Sequence, residues 1–318
     1  MKIKLKILTP VHISSGVELS PSEYFIDKVT NELKVVNLNS LIRDSDFKKF
    51  EQTFVDKAAS SRYLGEIIPD HKLLNRHVLY SIPTSPDFRA ANKVNLKAFI
   101  KSGGRVYIPG SSIKGAILSA LLYRALLEEK ERSKISSLLT SKDKSVAKRA
   151  YDDLLDRCYK NLSENPPPEK MRFLSLFSVS DTALKKPQEC LKADICHVVG
   201  ARSSRPIPIM YETLRPETVF EFDLKKNRCR FSEKQILEIC DDFYKKVAHK
   251  ENLQQSENPY LIRLGQGSSR YAVSFLIAAE ELQISEYLRR VRPPRTRKRI
   301  KDGRDIEMGF ARLEILKA

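Results

Sequence analysis

Hydrophobic and polar residues alternate at the start of the chain, as in a β-strand with one buried face. Ile3, Leu5 and Ile7 are apolar, and lysines occupy positions 2, 4 and 6. Successive residues of a strand point to opposite faces, so this pattern predicts a strand with an apolar core face and a basic wet face. Similar patterns predict strands over residues 219–224 and 310–316 and a hairpin over residues 24–36.

Residues 105–108 are a β-branched and aromatic run that predicts a strand ending at Pro109 and Gly110, and a helical spacing of apolar residues follows it. Apolar residues then recur at positions 113, 117 and 121, which predicts a helix packed along one face. Ser111 or Ser112 is the expected N-cap, and Lys114 adds a positive charge. The free N–H groups of such a helix start suit a phosphate, but an ordinary cap explains the same residues, and both interpretations stay open.

The second half of the chain mixes strands and helices in the same way. Ser232 is the expected cap of a helix over residues 233–248, and residues 195–210 are predicted to form a Ser- and Pro-interrupted loop that carries Arg202 and Arg205. Three prolines at 166–168 cannot continue a helix, so two domains are expected, 1–165 and 166–318. The lack of a regular βαβ alternation predicts the α+β class.

The charge of the chain narrows its functional class. It has 57 Lys and Arg against 40 Asp and Glu, a formal net charge of +17 and a pI of about 9.6. A protein with this charge attracts polyanions, of which nucleic acid is the commonest. No apolar run approaches the roughly 18 residues needed to cross a bilayer, and the alternating start is unlike a signal peptide. We therefore expect a cytoplasmic protein that binds nucleic acid and no membrane.

The residues at a few key positions exclude nucleotide-hydrolysing, dinucleotide-binding and zinc-binding motifs. Ala116 follows the second glycine of the 110–115 loop, where a nucleotide-hydrolysing P-loop requires a Lys with Ser or Thr. Arg270 stands where a dinucleotide-binding loop has its third glycine. Cys190 and Cys196 have no further ligands at zinc-binding spacing, so the five cysteines are expected to be buried thiols.

The remaining candidates for chemistry are isolated residues. His12 lies in a turn-rich loop and could act as a general base on a ribose hydroxyl, but a hydrogen-bonded loop histidine explains it as well. Asp27, Asp181 and Asp194 near predicted strand ends could bind a metal, although single aspartates are common there. The sequence therefore predicts no metal, no cofactor and no catalytic constellation.

Two segments of the second half offer contacts to a sugar-phosphate chain. Gly265 and Gly267, followed by two serines and Arg270, would let backbone approach a ligand closely, although a β-turn is an equal alternative. Residues 289–301 contain eight basic residues among thirteen and no acid. Such a run predicts electrostatic contact with phosphate and implies no base specificity.

Several of these stretches resemble motifs of one known family. Residues 8–16 (LTPVHISSG), 108–116 (IPGSSIKGA) and 263–268 (RLGQGS) are similar to the opening, the signature and the glycine-rich loop of the RAMP superfamily of CRISPR systems. Within it, residues 294–298 (PRTRK) and 308–313 (MGFARL) most resemble the fifth subunit of the type III-A (Csm) effector complex, except that Phe310 replaces a tryptophan.

The resemblance implies two ferredoxin-like (RRM-like) modules with helical insertions: an N-terminal one over residues 1–165, with a helical insertion, and a C-terminal one over residues 166–318, with the basic tail. It also implies a non-catalytic subunit that caps the filament near the crRNA 3′ end and supports crRNA maturation and assembly. The implied partners are crRNA, the other Csm subunits (chiefly the repeating backbone subunit), target RNA in the assembled complex and host nucleases. An RRM's aromatic signature is absent, so backbone contacts should dominate.

The predicted RNA contacts combine these motifs. They are His12, Ser111, Ser112, Lys114, Arg202, Arg205, Gly265, Gly267, Arg270, Arg295, Arg297 and Lys298. One alternative is a metal-independent endoribonuclease of the same superfamily that processes precursor crRNA with His12 as general acid or base. Another is a basic protein associated with the ribosome or tRNA.

Overall fold

The structure is a computed structural model that describes residues 1–59, 62–90, 95–128, 144–166, 175–200, 207–251, 260–273, 275–284, 288–289, 296–301 and 305–316. The strands are β1 Lys2–Ile7, β2 Ser14–Leu19, β3 Tyr24–Asp27, β4 Glu32–Val36, β5 Val78–Pro83, β6 Leu96–Phe99, β7 Lys101–Ser102, β8 Arg105–Val106, β9 Phe177–Val179, β10 Leu191–Gly200, β11 Ile207–Leu214, β12 Val219–Lys226, β13 Leu261–Arg263, β14 Thr296–Lys301, β15 Asp305–Glu307 and β16 Phe310–Ile315. The helices are α1 Leu38–Ile42, α2 Glu51–Lys57, α3 Leu64–Ile67, α4 His71–Arg76, α5 Pro86–Ala90, α6 Gly110–Glu128, α7 Lys144–Leu162, α8 Pro187–Cys190, α9 Glu233–Lys250, α10 Arg270–Val273 and α11 Leu276–Glu281.

The first sheet has five antiparallel strands in the order β13-β16-β1-β12-β9. The alternation at the N-terminus sets its inner face, because Ile3, Leu5 and Ile7 are all fully buried. The predicted strands over residues 2–7, 219–224 and 310–316 are therefore confirmed as β1, β12 and β16.

The outer face of β1 differs from the prediction of a basic surface. Lys2 pairs with Glu221 at 3.1 Å and Lys4 pairs with Glu314 at 3.0 Å, and Lys6 also pairs with a glutamate. The acids come from neighbouring strands and from the turn before β12. That prediction was wrong because sequence distance hid the acidic partners that sheet pairing brings beside the lysines.

The second sheet has six strands in the order β15-β14-β10-β11-β6-β2, with one parallel pair between β11 and β6. Residues 195–210 were predicted as a loop, but β10 and β11 pair as an antiparallel hairpin that covers most of them. Residues 201–206, including Arg202 and Arg205, lie outside the described residues. The second part of the basic segment is strand β14, which pairs with residues 196–200 of β10.

A smaller three-stranded sheet, β3-β4-β5, carries a separate apolar cluster. Its predicted hairpin is confirmed, and Asn31 occupies the turn with a positive φ of 57°. Phe25, Leu41 and Phe47 are buried in this cluster together with residues of α3 and α4. The unit therefore has its own core beside the two larger sheets.

Helices α6 and α9 pack against each other on the first sheet. The Tyr244 hydroxyl donates to the Ala116 carbonyl at 2.9 Å, and the rings of Tyr123 and Phe243 lie 5.1 Å apart. The predicted cap of α9 is confirmed, because Ser232 Oγ accepts from the Gln235 N–H. These two long helices close the main core of the described residues.

The architecture is mixed α+β, as predicted. Both larger sheets combine strands from each side of residue 165, and the division there stays a prediction. All five cysteines are buried and free, which confirms that expectation. Among the helices of the described residues, none has the length and apolarity required to span a membrane.

Candidate nucleic-acid interface

The glycine-rich loop, residues 264–269, follows β13 and depends on backbone conformations that favour glycine. Gly265 and Gly267 have φ values of +72° and +96°. A Cβ at Gly265 would lie 2.2 Å from the His12 carbonyl oxygen, and one at Gly267 would lie 2.9 Å from the Cβ of Met308. The loop therefore packs tightly on one side, while Gly265 is exposed on the other.

His12 lies directly behind this loop. Its carbonyl accepts from the Gln266 N–H at 2.8 Å, and its Nδ1 donates to the Glu212 carbonyl at 2.7 Å. The ring is fully buried and lies 4.4 Å from the Tyr211 ring. This arrangement makes His12 part of the support of the loop, with its imidazole inside the protein.

The support continues to a buried carboxylate on β11. Glu212 accepts from the Phe99 N–H at 2.7 Å and from the Tyr80 hydroxyl at 2.6 Å, and it pairs with the Lys101 ammonium. Burial, followed by the nearby Glu212 charge, raises the pKa of Tyr80 well above its usual value. The phenol therefore stays protonated and keeps donating to the carboxylate.

The two arginines that flank the glycine-rich loop point in different directions. Arg263 is 2% exposed; its Nη2 donates to the Gly267 carbonyl at 2.9 Å, and its guanidinium pairs with buried Glu251. Arg270 is exposed at the start of α10. Together with Gly265, it forms the accessible side of the loop.

The basic strand β14 is attached to the same region. Ile300 of β14 is buried with Cys196, Tyr211 and Met308, and Met308 is also the residue on which Gly267 packs. Arg297 and Lys298 are paired in register with Val199 and Val198 of β10. Arg295 lies outside the described residues.

The helix start at residues 110–115 makes mostly internal contacts. The Gly110 N–H donates to Asp181 Oδ1 at 2.7 Å, so an aspartate from beyond β9 caps the helix instead of the predicted serines. Lys114 Nζ donates to the Phe177 carbonyl at 2.7 Å, and desolvation lowers the pKa of this lysine. Ser111 is exposed and Ser112 is half-buried.

The helix start and the glycine-rich loop are joined through α10. This short helix follows the loop directly and packs on α6. Gly115 of α6 and Val273 of α10 line one cleft of about 260 Å³, together with Tyr151 and Phe275. The two glycine motifs, which are far apart in the chain, are therefore brought close together by the short helix α10.

The three aspartates considered for metal binding have structural partners. Asp27 accepts from Lys34 Nζ at 2.8 Å, which lowers the pKa of Asp27 to about 2, and Asp181 caps α6. Asp194 accepts from the Thr213 hydroxyl at 2.6 Å, and burial raises its pKa. Across the described part of the chain, no group of three or more His, Cys, Asp or Glu residues is placed to hold a metal ion.

Comparison with known proteins identifies the family. A sequence profile of the RAMP superfamily matches residues 4–311. The chain belongs to the RAMP superfamily. A curated relative, the CRISPR system Cms protein Csm5 of Methanocaldococcus jannaschii, is 28% identical over an alignment of 140 residues, with coverages of 39% of this chain and 30% of that relative. The match thus spans less than a third of the relative's length.

Two solved structures share the fold of this RAMP protein. One is a chain of a cryo-EM Csm–crRNA–target RNA ternary complex of a type III-A CRISPR–Cas system, with a TM-score of 0.72, 23% identity and coverage of 99% of this chain and 100% of that chain. The other is the crystal structure of T. onnurineus Csm5, with a TM-score of 0.63, 20% identity and coverage of 87% and 94%. At these identities the likeness establishes the fold alone.

Sequence reasoning missed two buried acids of this RAMP protein. Glu212 and Glu251 support the glycine-rich loop, and Asp181, considered as a metal ligand, instead caps α6. The available signal for Glu212 was a charged residue inside the run MYETL, whose other residues suit a buried strand. A buried carboxylate requires partners, so such a residue marks an internal network.

Proposed function

We propose that this chain is a non-catalytic, crRNA-binding subunit of a type III-A CRISPR–Cas (Csm) interference complex. In this proposal it caps the filament near the crRNA 3′ end and supports crRNA maturation and assembly. The observation that carries the proposal is the shared fold over 99% of this chain and 100% of a chain from a Csm–crRNA–target RNA complex. The net charge of +17 supports a polyanionic partner.

The same proposal extends to the modules and partners. The chain would contain two ferredoxin-like modules with helical insertions, and the neighbours would be other Csm subunits, chiefly the repeating backbone subunit. Target RNA would join in the assembled complex, and host nucleases would act on the crRNA end in the prokaryotic cytoplasm. Similarity to proteins called Csm5 supports this part of the proposal.

The proposed RNA surface centres on the glycine-rich loop and strand β14. Gly265 and Arg270 are exposed, and β14 holds Arg297 and Lys298. Exposed backbone and cations contact phosphate without reading bases, which suits a guide RNA of variable sequence. Ser111 and Ser112 extend the proposed surface, whereas Lys114 and His12 support it from within.

Purification of the native chain under mild salt tests this function. We expect co-purified small RNA with a shared repeat-derived sequence, together with the other subunits of a Csm complex. Sequencing of the RNA and mass spectrometry of the proteins provide the measurement. Recovery of ribosomal or transfer RNA in place of such guides would contradict the proposal.

Cleavage by this chain itself is the competing activity. The buried ring of His12, with Nδ1 bonded to a carbonyl, supports binding over catalysis because a general base must reach the ribose hydroxyl. We expect no specific cleavage when the purified protein is incubated with repeat RNA in EDTA. Cleavage that disappears in a folded His12→Ala variant would establish the ribonuclease instead.

A further inference from the structure

Two ion pairs with buried carboxylates support the glycine-rich loop. Arg263 and Glu251 form the first pair, and both are 2% exposed. Lys101 and Glu212 form the second, and Glu212 is fully buried. Neither pair presents its charge to a ligand. The pairs can therefore affect ligand binding only by fixing the positions of the residues that they contact.

The first pair holds the loop directly. Arg263 Nη2 donates to the Gly267 carbonyl at 2.9 Å, and Nε donates to the Met308 carbonyl at 3.1 Å, while Nη1 meets Glu251. The guanidinium also stacks 4.7 Å from the Phe310 ring. One planar group therefore joins the glycine-rich loop, the turn before β16 and the end of α9 in one geometry.

The second pair acts through His12. Lys101 and the Phe99 N–H fix the Glu212 carboxylate, and the Glu212 carbonyl accepts from His12 Nδ1. The His12 carbonyl in turn accepts from the Gln266 N–H at 2.8 Å. This chain of contacts holds Gln266, the residue next to Gly267 in the same loop.

Buried ion pairs contribute little to stability, because desolvation of both charges offsets their attraction, and apolar replacements of similar volume are often tolerated. Charged groups with several fixed bonds do, however, define the position of the backbone that they contact. Both sets of contacts end on Gln266 and Gly267. Because Gly265 and Gly267 lack a Cβ, this segment is free to adopt other conformations when unsupported.

We propose that Arg263–Glu251 and Lys101–Glu212 are positioning residues that hold the glycine-rich loop in its RNA-binding conformation. The inference rests on the proposed function, since it takes RNA as the ligand of the loop. Arg263 stands beside a loop that otherwise resembles a phosphate-binding motif. In this proposal Arg263 fixes the conformation of the loop and does not contact phosphate.

Paired substitution in the full-length protein tests the role of the first pair. Arg263→Met combined with Glu251→Leu removes both charges and leaves the net charge unchanged, and Arg263→Lys keeps the charge but loses the planar fork. Lys2→Gln with Glu221→Gln, an exposed pair on β1, is the charge-matched control. Binding of a single-stranded RNA of crRNA length is measured at fixed salt beside the thermal unfolding midpoint.

We expect both Arg263 variants to stay folded and to bind RNA at least about ten-fold more weakly. A loss of this size corresponds to one charge-assisted hydrogen bond between the displaced loop and a phosphate. The control should bind like wild type. Wild-type affinity in either folded Arg263 variant would overturn the positioning role. Failure of the wild-type protein itself to bind RNA would instead overturn the proposed function.

If the variants do not fold, amide hydrogen exchange of the wild-type protein tests whether the glycine-rich loop is held in one conformation. The Gln266 amide should exchange as slowly as the amides of β13, since its bond to the His12 carbonyl is held on both sides. Exchange at the rate of an unprotected peptide would overturn the proposal. Slow exchange would support it without any substitution.

Discussion

The two glycine motifs of this protein have similar compositions and different surroundings. The helix start at residues 110–115 combines two glycines, two serines and Lys114. The glycine-rich loop combines two glycines and two serines, and Arg263 and Arg270 flank it. In the first, Gly110 lies against the backbone of residues 179 and 180, and Lys114 donates to the backbone carbonyl of Phe177. In the second, one arginine is internal and Gly265 and Arg270 reach the surface.

The comparison shows that a glycine beside a cation has two physical explanations. Gly110 is needed because a Cβ would lie 2.4 Å from the Val179 carbonyl oxygen, which is an approach within the fold. Asp181 already supplies the anion that the start of α6 favours. The glycine-rich loop keeps an accessible side, so it is the better candidate for an external anion.

The largest expected effect is on the internal motif. Gly110→Ala should lower the free energy of unfolding by about 3 kcal/mol or more, because the added methyl group meets backbone atoms of β9 and Ser180 that have little room to move. Thermal and urea unfolding provide the measurement. Unchanged stability would show that Gly110 is not tightly packed inside the fold, and the two glycine motifs would then not differ in this respect.

Gly115→Ala is the matched control for that substitution. A Cβ at Gly115 meets nothing within 4 Å, so alanine should stabilise α6 by about 0.5–1 kcal/mol. If this variant is stable but no longer enters the complex, the exposed side of α6 is a subunit contact, and the internal interpretation of the motif is incomplete.

The second prediction concerns the exposed motif. Gly265→Ala introduces a side chain at φ +72° and 2.2 Å from the His12 carbonyl oxygen, so the loop must move. We expect at least a ten-fold loss of RNA affinity, about 1.4 kcal/mol, in protein that remains folded. Titration with labelled RNA measures it. Normal affinity would show that the loop is not a contact.

Lys114→Met should have a smaller effect, confined to stability. The variant loses the hydrogen bond to the Phe177 carbonyl, about 1 kcal/mol, and keeps an apolar stem near the Phe177 ring. RNA affinity and its salt dependence should not change. A flatter salt dependence would mean that Lys114 contacts phosphate and would restore the interpretation of the helix start as an anion site.

The smallest expected effect is on the part of the salt dependence of RNA binding that the basic segment, residues 289–301, contributes. Replacing Arg295, Arg297 and Lys298 together with glutamine should reduce the slope of log affinity against log salt by about 2, if each residue meets one phosphate of single-stranded RNA. Filter binding at several salt concentrations measures the slope. An unaltered slope would limit the RNA surface to the loop.

Much of the secondary structure was predictable because the residues that decide it are local. The alternation in β1, the Ser232 cap and the spacing of residues 113, 117 and 121 predicted elements that the structure contains. The β10–β11 hairpin was missed because Ser and Pro residues between the strands suggested a continuous loop. The cap of α6 was missed because Asp181 is 71 residues from Gly110.

For this protein the sequence alone determined the mixed α+β class, the basic character and the motifs that resemble the RAMP superfamily. Those properties follow from composition and from short-range spacing. Only the tertiary structure decided the direction of each motif: Lys114 and Arg263 inward, Gly265 and Arg270 outward. The physical reason is that a charge removed from water requires a partner, here the Phe177 carbonyl for Lys114 and Glu251 for Arg263, and only folding brings these groups within hydrogen-bonding distance.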